Sequence, residues 1–440
     1  MISGAIKTGR PSRAGSDLAG IESYLLQSSI YEERRTVDFL AIEFALIVIT
    51  QKLAIPLGAD SQISVALVIH YGALAWLISV GRARIDIVRL MLFCMFSAAA
   101  VLAQLGNTVG SYSVPSLGLM LITSLLLVVV APLHRSSYLR LLKYFTVLSA
   151  GASTLVLFDW LTQLAGLGMA NLESVIPKGF LYLEYVYVQP LQWDSPWLKP
   201  NGLFFLEASH VSQFVAMGLV VELAYFKRRS LIAINAAALV LTFGGTGLVI
   251  VGLAIPLLLS KIRPQALIAV AATTLILLII ADSIGLLGAF TNRAVEFSQT
   301  NSSAYNRFIL PTERFVEFLQ DQPARLLVGT GAGTMPKAVN NLAHLTFGLA
   351  WPPYVKVAVE YGIITFVCWL AFSLVAMFGG ATPFIVGWVA FVQYQFLNGS
   401  LNVPIHTIYC WLLCAGYHLA DGDHDSAWSA SPRQLNAGLS

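Results

Sequence analysis

The stretch LFFLEASHVSQFVAMGLVVELAYF, residues 203–226, is mostly apolar and stops against Lys227, Arg228 and Arg229. A helix of about 20 apolar residues crosses the ~30 Å hydrocarbon core of a bilayer, and Lys and Arg gathered at one end mark the cytoplasmic side. The same pattern recurs on both sides of it. Apolar stretches run from Val37 to Leu57, Ile63 to Val80, Leu90 to Leu105, Val114 to Leu133 and Tyr144 to Leu164 before it. Leu231 to Phe243, Leu248 to Leu259, Ala266 to Leu287, Tyr354 to Phe378, Pro383 to Leu397 and Val403 to Leu419 follow. About twelve spans are therefore expected, and with them an all-α, polytopic membrane fold. Composition agrees, since 57% of the 440 residues are hydrophobic and 11% are charged, against about a quarter charged in a soluble protein. The formal charge of +3 is spread between apolar stretches, which excludes a nucleic-acid-binding face.

Short loops orient the chain. Arg82, Arg84 and Arg89 follow the second stretch, Arg135, Arg140 and Lys143 the fourth, and Lys261 and Arg263 the eighth, whereas the loops at 58–62 and 106–113 hold no Lys or Arg. The cation-rich loops are read as cytoplasmic, and both termini fall on that side. Residues 1–36 are polar, lack the apolar core of a signal peptide, and are expected to form a solvated cytoplasmic tail; 37–420 form the membrane domain and 421–440 a second tail. The seventh and eighth stretches are short and meet at Gly244-Gly245-Thr246-Gly247, which predicts a tight reversal within the membrane. Cys94, Cys368, Cys410 and Cys414 all lie in apolar stretches without a CxxC pair or metal-ligand spacing, so neither a disulfide framework nor a structural metal is expected.

Two outside segments are long enough to carry chemistry, about 166–202 and about 287–353. In the first, Trp193 and Trp197 stand beside Asp194 and Lys199, a composition suited to anchoring at the headgroup level or to stacking on a sugar. The second holds Arg293, Arg307, Arg314, Arg325 and Lys337 on the side where the orientation rule depletes cations. Pairing with Glu296, Glu313, Glu317 and Asp321 would account for Arg314 and Arg325. Arg307 and Arg314 share a helix face if the stretch is continuous, although Pro311 stands between them. Guanidinium forks suit a diphosphate. His344, near the end of this segment, is a candidate proton carrier. Gly329-Thr330-Gly331-Ala332-Gly333 lacks a following GK[ST] and reads as a glycine-rich turn. Glu207 and His210 lie one turn apart just inside the outer surface, where ionisable groups either pair or belong to a site. Lys356 and Glu360 are spaced for an internal ion pair.

Taken in order, GLFFLEASHVSQFVAMGLVVEL, LTFGGTGLVIVGLAIPLLL, SSAYNRFILPTERFVEFL with LLVGTGAGT, and VKVAVEYGIITF resemble the O-antigen ligase and Wzy-type polysaccharide polymerase superfamily, nearest its exopolysaccharide polymerase branch. The likeness spans Pro200 to about Ala371. It implies a class C glycosyltransferase-like fold in the bacterial cytoplasmic membrane, with its active face periplasmic. The implied reaction is metal-independent, inverting transfer between undecaprenyl-diphosphate-linked oligosaccharides, without a cofactor, with membrane lipids and with chain-length regulator and export proteins as partners. By position, Arg307 and Arg293 match the family's diphosphate-holding arginines and His344 its loop histidine. Catalytic roles are thus expected for Arg307, His344 and Glu207, and substrate binding for Arg293, Arg314, Lys199 and His210. EASH stands where EPSF or similar is expected, and Lys199 where an arginine commonly precedes the asparagine-glycine pair. A ligase acting on lipid A core or protein shares the donor chemistry. A transporter or lipid-linked glycan flippase is the reading outside this class, but the two halves show no hydropathy repeat.

Overall fold

The computed structural model describes residues 13–56, 62–107, 112–182, 185, 187–191, 195–259, 264–283, 305–321, 323–335, 351–380 and 382–419. Of these, 74% are helical. The helices are α1 (Arg13–Thr50), α2 (Val65–Ser79), α3 (Ile87–Gly106), α4 (Val114–Leu125), α5 (Arg135–Leu164), α6 (Ala208–Val221), α7 (Arg229–Leu241), α8 (Gly245–Leu258), α9 (Pro264–Ser283), α10 (Leu310–Asp321), α11 (Pro353–Phe378), α12 (Phe384–Val392) and α13 (Pro404–Cys410). Single π turns extend α6, α12 and α13 at their C-terminal ends and precede α10. Each apolar stretch coincides with a helix over most of its length. Among the described residues four helices are long and apolar enough to cross a membrane: Ile87–Gly106, Arg135–Leu164, Ala208–Phe226 and Pro353–Phe378. The chain is thus a membrane protein by the length and composition of its helices.

The all-α expectation needs one correction. Short strands β1 (Ala54–Pro56) and β2 (Gln62–Ser64) pair antiparallel, and β3 (Arg84–Ile85), β4 (Val129–Leu133) and β5 (Tyr417–Leu419) form a second sheet, antiparallel then parallel. Ends of the first, fourth and twelfth apolar stretches are therefore extended, because an apolar run by itself does not distinguish a buried strand from a helix. From Arg13 onward the chain is already helical, and Glu32 and Glu33 on α1 pair with Arg82 and His134.

Segments that the charge pattern puts on one side meet one another. On the cation-rich side β3, β4 and β5 join three chain segments, and Arg140 pairs with Asp38 at 2.9 Å. Arg89, read as a loop cation, is buried instead, its guanidinium donating to the carbonyls of Leu127 and Ala415. At the opposite end Leu53 bridges Leu181, Ser113 N–H donates to Ala332 (2.8 Å) and Trp351 N–H donates to Gly399 (3.0 Å). Trp197 packs there against Trp160, which also meets Phe243, so it braces protein in addition to any contact with headgroups. Trp193 and Asp194 lie outside the described residues.

α6 is the central helix. Of its spanning window 83% is buried, against 28% for α3, so polar groups on α6 face protein and not lipid. The break between α7 and α8 lies at 242–244, with Phe243 at φ 52°, and Gly245-Thr246-Gly247, expected in the reversal, form the first turn of α8, which packs against α6. Ser212 Oγ donates to Gly244 O (2.7 Å) and accepts from Gly247 N–H (3.2 Å). A Cβ on Gly247 would lie 2.3 Å from that Oγ and 2.4 Å from Ser212 O. Gly247→Ala is therefore expected to cost about 1–3 kcal/mol by overpacking, read as a lowered unfolding midpoint in detergent. An unchanged midpoint would show that α8 can move away from α6.

Candidate functional site

The approach to α6 is built from groups far apart in sequence. Asn201, Gly202 and Leu203 form a turn in which Gly202 and Leu203 have φ of 60° and 64°. Such a conformation costs a leucine about 1–3 kcal/mol unless its surroundings impose it. Here Asn201 Nδ2 donates to Tyr187 O (2.8 Å), Asn201 Oδ1 accepts Leu203 N–H (3.0 Å), Asp159 accepts Gly202 N–H (3.2 Å) and Lys52 Nζ donates to Leu203 O (2.7 Å). The turn delivers Glu207 to the N-cap position of α6 in extended conformation. Its carboxylate does not cap the helix.

That carboxylate reaches Arg307 instead. Arg307 lies in the π turn Tyr305–Ile309, and its guanidinium donates to Glu207 Oε2 at 2.8 Å, the two side chains being 27% and 15% exposed. The pair is thus screened from bulk solvent but still reachable. Beside it is a cleft of about 10 Å³, room for roughly one water, lined by Thr246, Arg307, Phe308, Pro352 and the segment Phe396 to Gly399. Thr246 Oγ1 donates to Ser209 O (3.3 Å), which ties the first turn of α8 to the same place. Tyr185, from the first outside segment, stands edge-on to His210 with centroids 5.7 Å apart. Burial, reinforced by the Glu207 carboxylate, pushes its hydroxyl well above its ordinary pKa, so it stays a neutral donor.

Behind Glu207 the polar groups continue inward. Ser209 Oγ donates to Glu207 Oε2 (3.0 Å), and His210 Nδ1 lies 3.5 Å from that Oγ. The His210 ring lies over His406 of α13, centroids 4.8 Å apart and planes 30° from parallel. Gln393 Nε2 donates both to His406 Nδ1 and to Gln213 Oε1, and Gln213 Nε2 donates to Leu397 O (3.2 Å). Sequence reasoning missed Gln213, Gln393, Asn398 and His406. The signal was present in QYQFLNGSLN and in PIHT, polar side chains within or against apolar stretches where burial is costly.

The remaining expectations divide. Arg307, Glu207 and His210 come together. Arg314 does not join them, because the π turn before α10 changes the helical register and Arg314 pairs with Glu317 on its own helix at 2.5 Å, both side chains exposed. Pro311 does not end the helix; it sits buried in the first turn of α10. Lys199 lies in the first outside segment, half-buried, with its N–H on Gln189 O (2.8 Å). Arg293 and His344 lie outside the described residues.

Lys356 and Glu360 make no contact ion pair. Glu360 Oε1 accepts Met335 N–H (3.2 Å), with the amides of Gly333 and Thr334 also on its carboxylate. The glycine-rich turn is closed to phosphate for the same reason: Gly329, Thr330, Gly331 and Ala332 donate to Arg325 O, Val359 O, Glu360 O and Gln104 Oε1. Its amides are spent on holding the turn against α3 and α11. The chain matches no family model, no curated protein and no solved structure.

Proposed function

We propose that the chain is a metal-independent, inverting glycosyltransferase acting at the periplasmic face of the cytoplasmic membrane, a polymerase of undecaprenyl-diphosphate-linked oligosaccharide repeat units. The observation that carries this reading is the half-screened Arg307–Glu207 pair beside a cleft lined by the second outside segment, Thr246 of α8 and the 396–399 segment. An arginine fork there is suited to a diphosphate, which would compete with Glu207 for it. In the reaction an acceptor hydroxyl oxygen attacks the anomeric carbon of the donor sugar. The bond from that carbon to the diphosphate oxygen breaks, its electron pair leaves with the lipid diphosphate, and Arg307 stabilises the charge that develops. Release from Arg307 leaves Glu207 as a free carboxylate and the destination of the hydroxyl proton. Arg293 and His344 are proposed to complete the anion site and proton handling from the second outside segment. Lys199 belongs on the donor side.

The experiment is incubation of the purified protein in vesicles with lipid-diphosphate-linked repeat oligosaccharide, without metal or nucleotide, followed by sizing of the products. A ladder supports the polymerase. Transfer to an added lipid A core or protein acceptor without a ladder makes it a ligase, and no transfer to any acceptor rejects the reading. Arg314 serves as an internal control. Its exposed i,i+3 pair with Glu317 is worth about 0–1 kcal/mol, so Arg314→Ala should leave both the ladder and the unfolding midpoint unchanged; loss of the ladder would return Arg314 to the site.

A further inference from the structure

The hydrogen bonds behind Glu207 have a polarity that can be followed from their fixed ends. Leu397 O is a carbonyl and can only accept, so the Gln213 atom bonded to it is Nε2, and Gln213 turns its Oε1 toward Gln393. An amide oxygen accepts, so the Gln393 atom is Nε2 and donates. Its second hydrogen points to His406 Nδ1, which must then be the bare nitrogen. Neutral imidazole with a bare Nδ1 carries its proton on Nε2. His406 thus presents an Nε2–H donor.

The other end starts from Arg307. Paired with guanidinium, Glu207 is a carboxylate and only accepts, so Ser209 Oγ spends its hydrogen on Glu207 Oε2. Toward His210 Nδ1, 3.5 Å away, that oxygen has lone pairs to offer, and the proton of the contact belongs to Nδ1. His210 Nε2 is then a bare acceptor. Both Nε2 atoms are buried and have no hydrogen-bond partner among the described residues, although their rings lie 4.8 Å apart. An orphaned donor and an orphaned acceptor side by side are costly in a protein interior, and one hydroxyl group satisfies both at once.

We infer that His210 and His406 form a hydroxyl-binding couple, in which His210 Nε2 accepts the hydrogen of a bound hydroxyl and His406 Nε2–H donates to its oxygen. The hydroxyl belongs to a sugar or to water. Assigning it to the acceptor sugar rests on the function proposed above; the couple itself does not. In that setting the hydroxyl proton passes to His210 Nε2, the Nδ1 proton to Ser209 Oγ, and the Ser209 proton to the Glu207 carboxylate once Arg307 has turned to the diphosphate. One proton enters the relay and one arrives at Glu207, leaving the histidine and serine neutral.

Tautomers of the full chain in detergent, labelled with 15N-histidine, are read from long-range proton–nitrogen correlations, with His210→Gln and His406→Gln assigning the signals. The expected result is an Nε2–H ring at His406 and an Nδ1–H ring at His210. Gln393→Leu should remove the tautomer preference of His406 and leave that of His210. Titration with methyl glucoside separates the two sources. A saturable shift of both Nε2 signals identifies a sugar hydroxyl, whereas no shift together with cross-relaxation to a long-lived water identifies water, and either outcome supports the couple. The opposite tautomer at either ring, or a direct bond between the two Nε2 atoms, overturns it. None of these readings needs turnover. A wild-type ladder with reversed tautomers removes the couple and leaves the polymerase standing; correct tautomers without transfer do the reverse.

Discussion

Arg307→Ala is expected to lower polymer formation by about 10²–10³-fold while the protein still accumulates in the membrane, the loss found when one well-placed donor to a developing anion is removed. Arg307→Lys should recover little of it, because an ammonium supplies a point charge without the paired planar donors that match two phosphate oxygens. The measurement is the rate of ladder growth from lipid-diphosphate-linked repeat units, compared at equal protein in vesicles. A structural explanation is separable from a chemical one. Arg307→Ala leaves Glu207, only 15% exposed, without its partner, and this alone lowers stability. Glu207→Gln added to Arg307→Ala removes the stranded charge and should restore the unfolding midpoint. If polymer returns with it, Arg307 is a structural partner; if the midpoint returns and polymer does not, the loss is chemical and belongs to the Arg307–Glu207 pair. Arg307→Gln, which keeps a hydrogen-bond donor to Glu207 but not the charge, assigns it to Arg307 if the midpoint holds and polymer is still lost. Near-normal polymer from Arg307→Ala and Arg307→Lys alike would remove it from the mechanism.

Hydropathy and loop charge made the apolar stretches, their lengths and their common sides legible, because those depend on local composition. A break between the two short apolar stretches was legible for the same reason, but its place was not: it lies at 242–244, and the small residues from Gly245 start α8 close against Ser212. What stayed hidden depends on partners distant in the chain. Glu360 is spaced four residues from Lys356, yet it is occupied by Gly333 and Met335 amides that no periodicity relates to it. Arg307 and Arg314 are spaced for one helix face, but a single π turn redirects Arg307 to α6. The rule that ionisable groups at membrane depth carry meaning was applied to Glu207 and His210. Applied evenly, it would also have found His406 and the buried Glu43–His70 pair between α1 and α2, 2.5 Å apart.

Gly362→Ala is the substitution expected to damage the fold most. α11 is broken at this residue, whose φ of 82° and ψ of 168° lie in a region that only glycine occupies without strain. The break turns Ile363 N–H onto Leu326 O (2.8 Å), while the carbonyls of Val359 and Glu360, on the last turn before it, accept from Thr330 and Gly331. A glycine-rich turn is thereby stitched to a helix in the middle of its length, and irregular backbone at membrane depth survives only where protein satisfies it in this way. A Cβ at Gly362 would lie 2.1 Å from Leu327 O and 3.0 Å from Val328 N, both backbone atoms of the segment between Leu326 and Gly331 that those bonds fasten to α11. Backbone strain of about 1–3 kcal/mol and overpacking of about 1–3 kcal/mol would act together. Their sum is a large part of the roughly 5–15 kcal/mol that holds a typical protein folded. Folded Gly362→Ala should fall severely in detergent size-exclusion profiles, with an unfolding midpoint well below that of Gly252→Ala, whose added methyl meets nothing within 4 Å. Equal midpoints for the two variants would mean that α11 can run unbroken through residue 362. The glycine-rich turn would then be detachable from it, and its amides, spent on Val359, Glu360 and Gln104 in this structure, would be free for an anion after all.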